Sequence, residues 1–232
     1  YCPKGRIPLG PSAVGKLGLA GSIGFISQSG GIAAKLVEYG IARDIHFSKG
    51  ISVGNSLDLD ASDFLEYLGH DEETHAIGLY LEGTQNGRRL FESLKEVAAA
   101  KPVLLWKGGR TPEGAQAATS HTGSMAAAPA VWSAMARQTG IMEVRTLEEL
   151  CDCLLLLQCL GPTRARNLAV IGGLADGGGG ISVSGSDACA DVGLSLPELR
   201  TTTRRRLLEL IGEVGSILRN PVDVSPAQFR GF

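Results

Sequence analysis

The sequence lacks any apolar run approaching the roughly 20 residues that a bilayer-spanning helix needs. Its most apolar stretch, 151–160, is interrupted by Asp152 and Gln158. A helical membrane protein is thereby excluded, no membrane partner is expected, and no segment has the build of a secretory leader. An excess of one charge is missing too. Lys and Arg number 22 against 24 Asp and Glu, a formal net charge of −2, so neither nucleic acid nor an anionic surface is the expected partner. Cysteine is sparse. Cys2, Cys151, Cys153, Cys159 and Cys189 form an odd set without paired spacing. Cys151 and Cys153 stand two apart on an expected helix and point to opposite sides. No metal site is expected, and the cysteines are read as buried thiols in a reducing cytosol. Two catalytic signatures are also absent. Position 27 is Ser rather than Gly, so the G-x-S-x-G elbow of a serine hydrolase is not formed around Ser29. The glycine loop after Gly172 lacks G-x-G-x-x-G with a following acidic residue, which leaves a dinucleotide site unsupported.

What is present is glycine, 32 residues of 232. The glycines cluster at the ends of expected strands, where they allow tight turns and close approach of backbone to a ligand. The remaining composition, 44% hydrophobic and 20% charged, suffices for a full core. Apolar runs predict strands at 22–27, 45–53, 76–81, 103–107 and 141–145. Helical stripes predict helices at 30–42, 60–68, 86–100, 125–139 and 147–160. This alternation implies an α/β fold, a parallel sheet with helices on both faces. Gly161-Pro162-Thr163 breaks the rhythm. A second, shorter unit follows, with strands at 167–172 and near 193–196 and helices near 181–191 and 198–211. The first 20 residues, rich in Gly and Pro, read as a linker. The missing initiator Met and the ending at Gly231-Phe232 suggest an excised piece of a longer chain.

In open parallel sheets, ligands bind outside the carboxyl ends of the strands. Three segments fall on that edge. Ser27-Gln28-Ser29-Gly30-Gly31 follows the first strand, Glu82 ends the third, and His121 follows the fourth in an expected polar loop. Gly30 and Gly31 open a helix whose first N–H groups and dipole favour an anion. Ser27 and Ser29 can add hydroxyl donors, although Ser29 alone reads more readily as a cap. A neutral imidazole at His121 is a nucleophile, and a carboxylate on one ring nitrogen, a role open to Glu82, leaves the other free to attack. Gly178, Gly179 and Gly180 open a second helix in the same manner. Asn220-Pro221-Val222-Asp223 reads only as a turn.

The segments Ser27-Gln28-Ser29-Gly30-Gly31, Tyr80-Leu81-Glu82-Gly83, Gly109-Arg110-Thr111 with Ser120-His121-Thr122-Gly123, and Asn220-Pro221-Val222-Asp223 occur in a recognisable order. Over about residues 20–225 the chain resembles the NDP-forming acyl-CoA synthetases. These are the ADP-forming acetyl-CoA synthetases and their succinyl-CoA synthetase relatives. The resemblance implies a flavodoxin-like CoA-ligase domain at 21–161, after a linker at 1–20, and a partial second one at 164–232. It implies that His121 is phosphorylated, that Glu82 holds it, and that two helix N-termini bind the phosphate, at Ser29-Gly30 and near 177–180. It further implies CoA, ATP or ADP with Mg, and phosphate as cofactors of the complete enzyme. A small carboxylic acid or its acyl-CoA is the implied substrate, and the complete enzyme is expected to be oligomeric. The N-terminal CoA-binding domain and the ATP-grasp domain or subunit would be partners lying outside these residues, so the chain alone is not expected to turn over. Met125-Ala126-Ala127-Ala128, Arg219 and the long loop after Gly172 depart from the family pattern. A related non-catalytic ligand sensor is the alternative, against which the presence of both His121 and Glu82 weighs.

Overall fold

Strand β1 (Ala20–Ser27) is buried along its last five residues, as a central parallel strand covered on both faces must be. The computed structural model describes residues 1–9, 17–122, 128–172, 179–211 and 217–224, and of 118–122 the backbone only. The chain divides into two units, Tyr1–Pro162 and Thr163–Phe232.

In the first unit β1 is followed by α1 (Gly30–Ala42), β2 (Phe47–Ser52), α2 (Ala61–His70), β3 (Ala76–Leu81), α3 (Gly87–Ala100) and β4 (Val103–Lys107). Then come α4 (Pro112–Thr122), α5 (Pro129–Thr139), β5 (Met142–Val144) and α6 (Leu147–Leu160). The five strands are parallel in the order β2-β1-β3-β4-β5, the flavodoxin-like order. The first crossover leaves β1 in one direction, and the later ones run in the other. Right-handed connections must then place α1 on one face and α2, α3 and α5 on the opposite one. The core shows this division. Ala33, Leu36 and Val37 of α1 and Leu150 and Leu154 of α6 pack with Ile23, Phe25, Phe47 and Leu104. Leu65 and Leu68 of α2, Leu90 and Leu94 of α3 and Trp132 of α5 pack with Ile26, Ile77, Leu79 and Leu105.

Helix starts follow local chemistry. Ser29, Asn86 and Thr146 accept from the N–H three residues on, and Asp60 forms a capping box with Asp63. Helix α5 has no side-chain cap but carries Pro129 at its start and ends on Gly140 in the left-handed region.

The structure departs from the sequence reading at several points. The first residues, read as linker, are tied to the sheet. Tyr1 and Gly50 exchange N–H···O bonds of 2.8 Å, and the Tyr1 ring lies 6.0 Å from Phe47 and 6.4 Å from Phe25. His121, expected in a polar loop, lies in helix α4 (Pro112–Thr122). The cysteines are all free, but only Cys151 and Cys189 are buried; Cys159 is exposed.

The second unit contains β6 (Ile171–Gly172), α7 (Gly179–Asp191), α8 (Thr201–Ile211), β7 (Ile217–Leu218) and β8 (Val222–Asp223). Its sheet order is β6-β8-β7, with β7 antiparallel. The expected strand at 167–172 shortens to two residues, and the one near 193–196 is a single Asn167–Ser195 bridge. The segment read as a turn supplies the central strand. Its Asn220 side chain accepts from Val170 N at 3.1 Å and donates to Leu168 O and Pro197 O at 2.7 and 2.9 Å.

A polar cluster stands before β3. Lys49 bonds both oxygens of Asp71 at 2.8–2.9 Å and Glu73 at 2.9 Å, and Thr74 donates to Asp71 at 2.6 Å. Burial works to raise the Asp71 pKa, but the bonds from Lys49 and Thr74 outweigh it and hold the carboxyl below its ordinary value. A depressed carboxyl pKa contributes stability present above the unfolded value and lost as pH falls through the folded one. Asp71→Asn should therefore cost about 2 kcal/mol near neutral pH and progressively less below about pH 4. Urea unfolding across that range checks it, and a cost undiminished in acid would contradict it.

Candidate functional site at the β1–β3 switch point

The chain reverses its direction of travel across the sheet between β1 and β3. The loop after β1 leads to α1 on one face and the loop after β3 leads to α3 on the other. The carboxyl ends of these two strands therefore border the crevice where open α/β sheets bind ligands.

At the end of β1, Ser27 is fully buried. Its hydroxyl donates to Ser29 O at 2.7 Å and accepts from Ser29 N at 3.2 Å. Expected as an anion ligand, Ser27 instead braces the turn, because the last residue of a central strand faces the interior. Ser29 caps α1, accepting from Ile32 N at 3.3 Å. Gly30 and Gly31 are exposed at the first two helical positions, where N–H groups lack intrahelical acceptors. These two glycines and Ser29 fit an anion; Ser27 does not.

Glu82 is brought to the same place. Gln28 N donates to Tyr80 O at 3.0 Å. Gln28 Oε1 accepts from the N–H of Glu82 and from Gly83 N at 2.9 Å. The Tyr80 hydroxyl donates to Glu82 Oε1 at 3.0 Å, and its ring packs edge-on to Trp106 at 4.7 Å. Burial, reinforced by the Glu82 charge, pushes the Tyr80 phenol well above its ordinary pKa, so it stays a donor. Lys107 Nζ donates to Glu82 O at 2.8 Å and to Gly108 O, is 4% exposed, and lies 5.1 Å above the Trp132 ring. Burial lowers its pKa, opposed by the Glu82 charge.

Gln28, Tyr80 and Lys107 received no role from the sequence. The available signals were a long amide directly before a helix cap and a lysine closing an otherwise apolar strand.

His121 lies in the last turn of α4, not in a loop. Pro112 opens this helix, Glu113 stands in its first turn, and Thr111 Oγ1 accepts from Gly114 N at 3.1 Å. Three alanines then favour the helical state. The His121 side chain lies outside the described residues, as does Gly178. Gly179 and Gly180 open α7 as expected. A Cβ on Gly179 would stand 3.0 Å from Asp223 Oδ2, so the carboxylate ending β8 lies beside that N-terminus, where the helix dipole favours it.

Residues 20–157 match the family model described as the succinyl-CoA ligase like flavodoxin domain. Acetate–CoA ligase [ADP-forming] I of Archaeoglobus fulgidus is 41% identical over 88% of the chain. The chain belongs to the NDP-forming acyl-CoA synthetase family. The alpha subunit of acetate–CoA ligase [ADP-forming] I of Pyrococcus furiosus is 40% identical over 84% of the chain. Among solved structures, the dinucleotide forming acetyl-coenzyme A synthetase 1 of Candidatus Korarchaeum cryptofilum, in complex with phosphate and ADP, superposes with a TM-score of 0.76. It is 32% identical over 90% of the chain. The chain spans 29% and 41% of the two curated relatives and 45% of the solved one, less than half of each.

The site requires glycine at position 108. A Cβ there would stand 2.6 Å from Tyr80 Oη and 3.2 Å from Glu82 Cγ. Gly108→Ala is expected to destabilise the fold by about 1–3 kcal/mol. The loss should be smaller in a Tyr80→Phe background, where the nearest clashing atom is gone. Chemical denaturation of the four proteins tests this, and an equal loss in both backgrounds would refute the contact.

Proposed function

We propose that this chain carries the phosphotransfer site of an ADP-forming acyl-CoA ligase, in which His121 is the phosphate carrier. The complete enzyme interconverts acyl-CoA, ADP and phosphate with carboxylate, CoA and ATP. The observation that supports the reading best is the meeting of Glu82 with the α1 N-terminus through Gln28 at the β1–β3 switch point. The chemistry needs an imidazole nucleophile, a carboxylate that orients it, and fixed donors to the phosphoryl oxygens. Glu82 is the carboxylate, and bonds from Gln28, Tyr80 and Lys107 hold it. Gly30 N, Gly31 N and the Ser29 hydroxyl are donors to the phosphate, and the family resemblance adds Gly178, Gly179 and Gly180.

In this reading 1–20 leads from a CoA-binding domain, 21–161 is the first CoA-ligase domain, and 164–232 begins the second. Nucleotide and Mg are held by an ATP-grasp domain or subunit, CoA by the preceding domain, and the whole is an oligomer working in the cytoplasm. Among the described residues no helix is long and apolar enough to cross a membrane. The substrate is a small carboxylic acid, delivered to the phosphate as its acyl-CoA.

The complete ligase incubated with labelled ATP and Mg should acquire one acid-labile phosphate per active chain. His121→Ala should abolish it, and Glu82→Gln should slow it by roughly 100-fold or more. Labelling that persists in the folded His121→Ala protein would rule out the assignment.

A further inference from the structure

Both main-chain groups of Glu82 are taken by side chains from the flanking strands. Its N–H donates to Gln28 Oε1, and its carbonyl accepts from Lys107 Nζ at 2.8 Å. Gln28 directly follows β1 and Lys107 ends β4, the two strands that pair with β3 on either side. Each holder is anchored again nearby. Gly83 N gives Gln28 a second bond at 2.9 Å, and Gly108 O gives Lys107 a second acceptor. Glu82 lies beyond β3, where the strand ladder no longer fixes the backbone.

Lys107 is an expensive way to hold a turn. Lys107 is 4% exposed, its ammonium donates to two carbonyl oxygens rather than to a carboxylate, and burial depresses its pKa. An apolar residue of similar size would fill the space over Trp132 at a lower desolvation cost. Strain or cost of this sort persists where it serves pre-organisation.

We propose that Gln28 and Lys107 are positioning residues that clamp the Glu82 main chain from both neighbouring strands and set where its carboxylate stands for phosphotransfer. The proposal rests on the phosphohistidine reading above. Neither residue takes part in bond making. Gln28 holds the N–H groups of the peptides on both sides of Glu82 and Lys107 the carbonyl of the second, so the backbone cannot pivot between them. The Tyr80 hydroxyl then fixes one carboxylate oxygen.

The test uses the complete ligase with its partner domains and measures ATP-driven phosphoenzyme formation by rapid quench. Gln28→Met and Lys107→Met should each slow it by roughly 10- to 100-fold, with the nucleotide KM unchanged. The double variant should lose about as much as the slower single one, because both free the same residue. The Lys107→Met protein should have a thermal midpoint equal to or above that of the wild type. Wild-type rates in both folded variants overturn the proposal, and so does a multiplicative loss in the double variant. If Lys107→Met fails to fold, Lys107 is a structural residue and that half of the clamp is lost; Gln28→Met still tests the other half. Absence of acid-labile phosphate from the wild type instead defeats the phosphohistidine reading, so the two failures are distinct.

Discussion

A parallel strand cannot reach its neighbour without a crossover, and that crossover has one hand. In this chain the constraint does more than set the topology. The first crossover carries the chain outward from β1 to β2, and the second brings it back past β1 to β3. The loops that follow β1 and β3 must then leave for opposite faces, and the space between them opens at the carboxyl ends of adjacent strands. Gln28 and Glu82 stand at those two ends and meet. The α1 N-terminus stands at the same edge because Ser29 caps the helix directly after the turn.

Glu82 illustrates how a carboxylate is placed where no ladder holds it. Three side chains at adjacent strands of the sheet hold it: Gln28 directly after β1, Tyr80 in β3 and Lys107 at the end of β4. The arrangement leaves no room at Gly108 for a β-carbon. It also retains a buried ammonium, whose removal from water carries a desolvation cost. Stability is given up at one point so that one carboxylate has one position, while the alternating apolar faces of β1, β3 and β4 carry the fold itself.

Much of the first unit was legible in the sequence because its signals are local. Strands β3 and β4 are continuous apolar runs, and α3 begins on the Asn86 cap and ends ahead of Pro102. Helix α4 was missed because its Ala, Thr and Ser content gives no apolar stripe, although Thr111 and Pro112 marked its start. The second unit's strands are two residues each, too short for any period. Within the site, Glu82, Ser29, Gly30 and Gly31 could be placed on the proper edge from strand ends alone. Gln28 and Lys107 could not be given a role, since their bonds to Glu82 join residues 54 and 25 positions apart. Ser27 was misread for the converse reason: its hydroxyl looked available in the sequence and is spent on the turn beside it.

The proposed site holds an anion between His121 and the α1 N-terminus. A crystal of the complete ligase soaked in inorganic phosphate measures this directly. Anion density bonded to the N–H groups of Gly30 and Gly31 and within reach of the His121 ring, with Glu82 on the ring's other nitrogen, is the expected result. A His121 ring turned away from Glu82, with phosphate bound elsewhere or not at all, would contradict it.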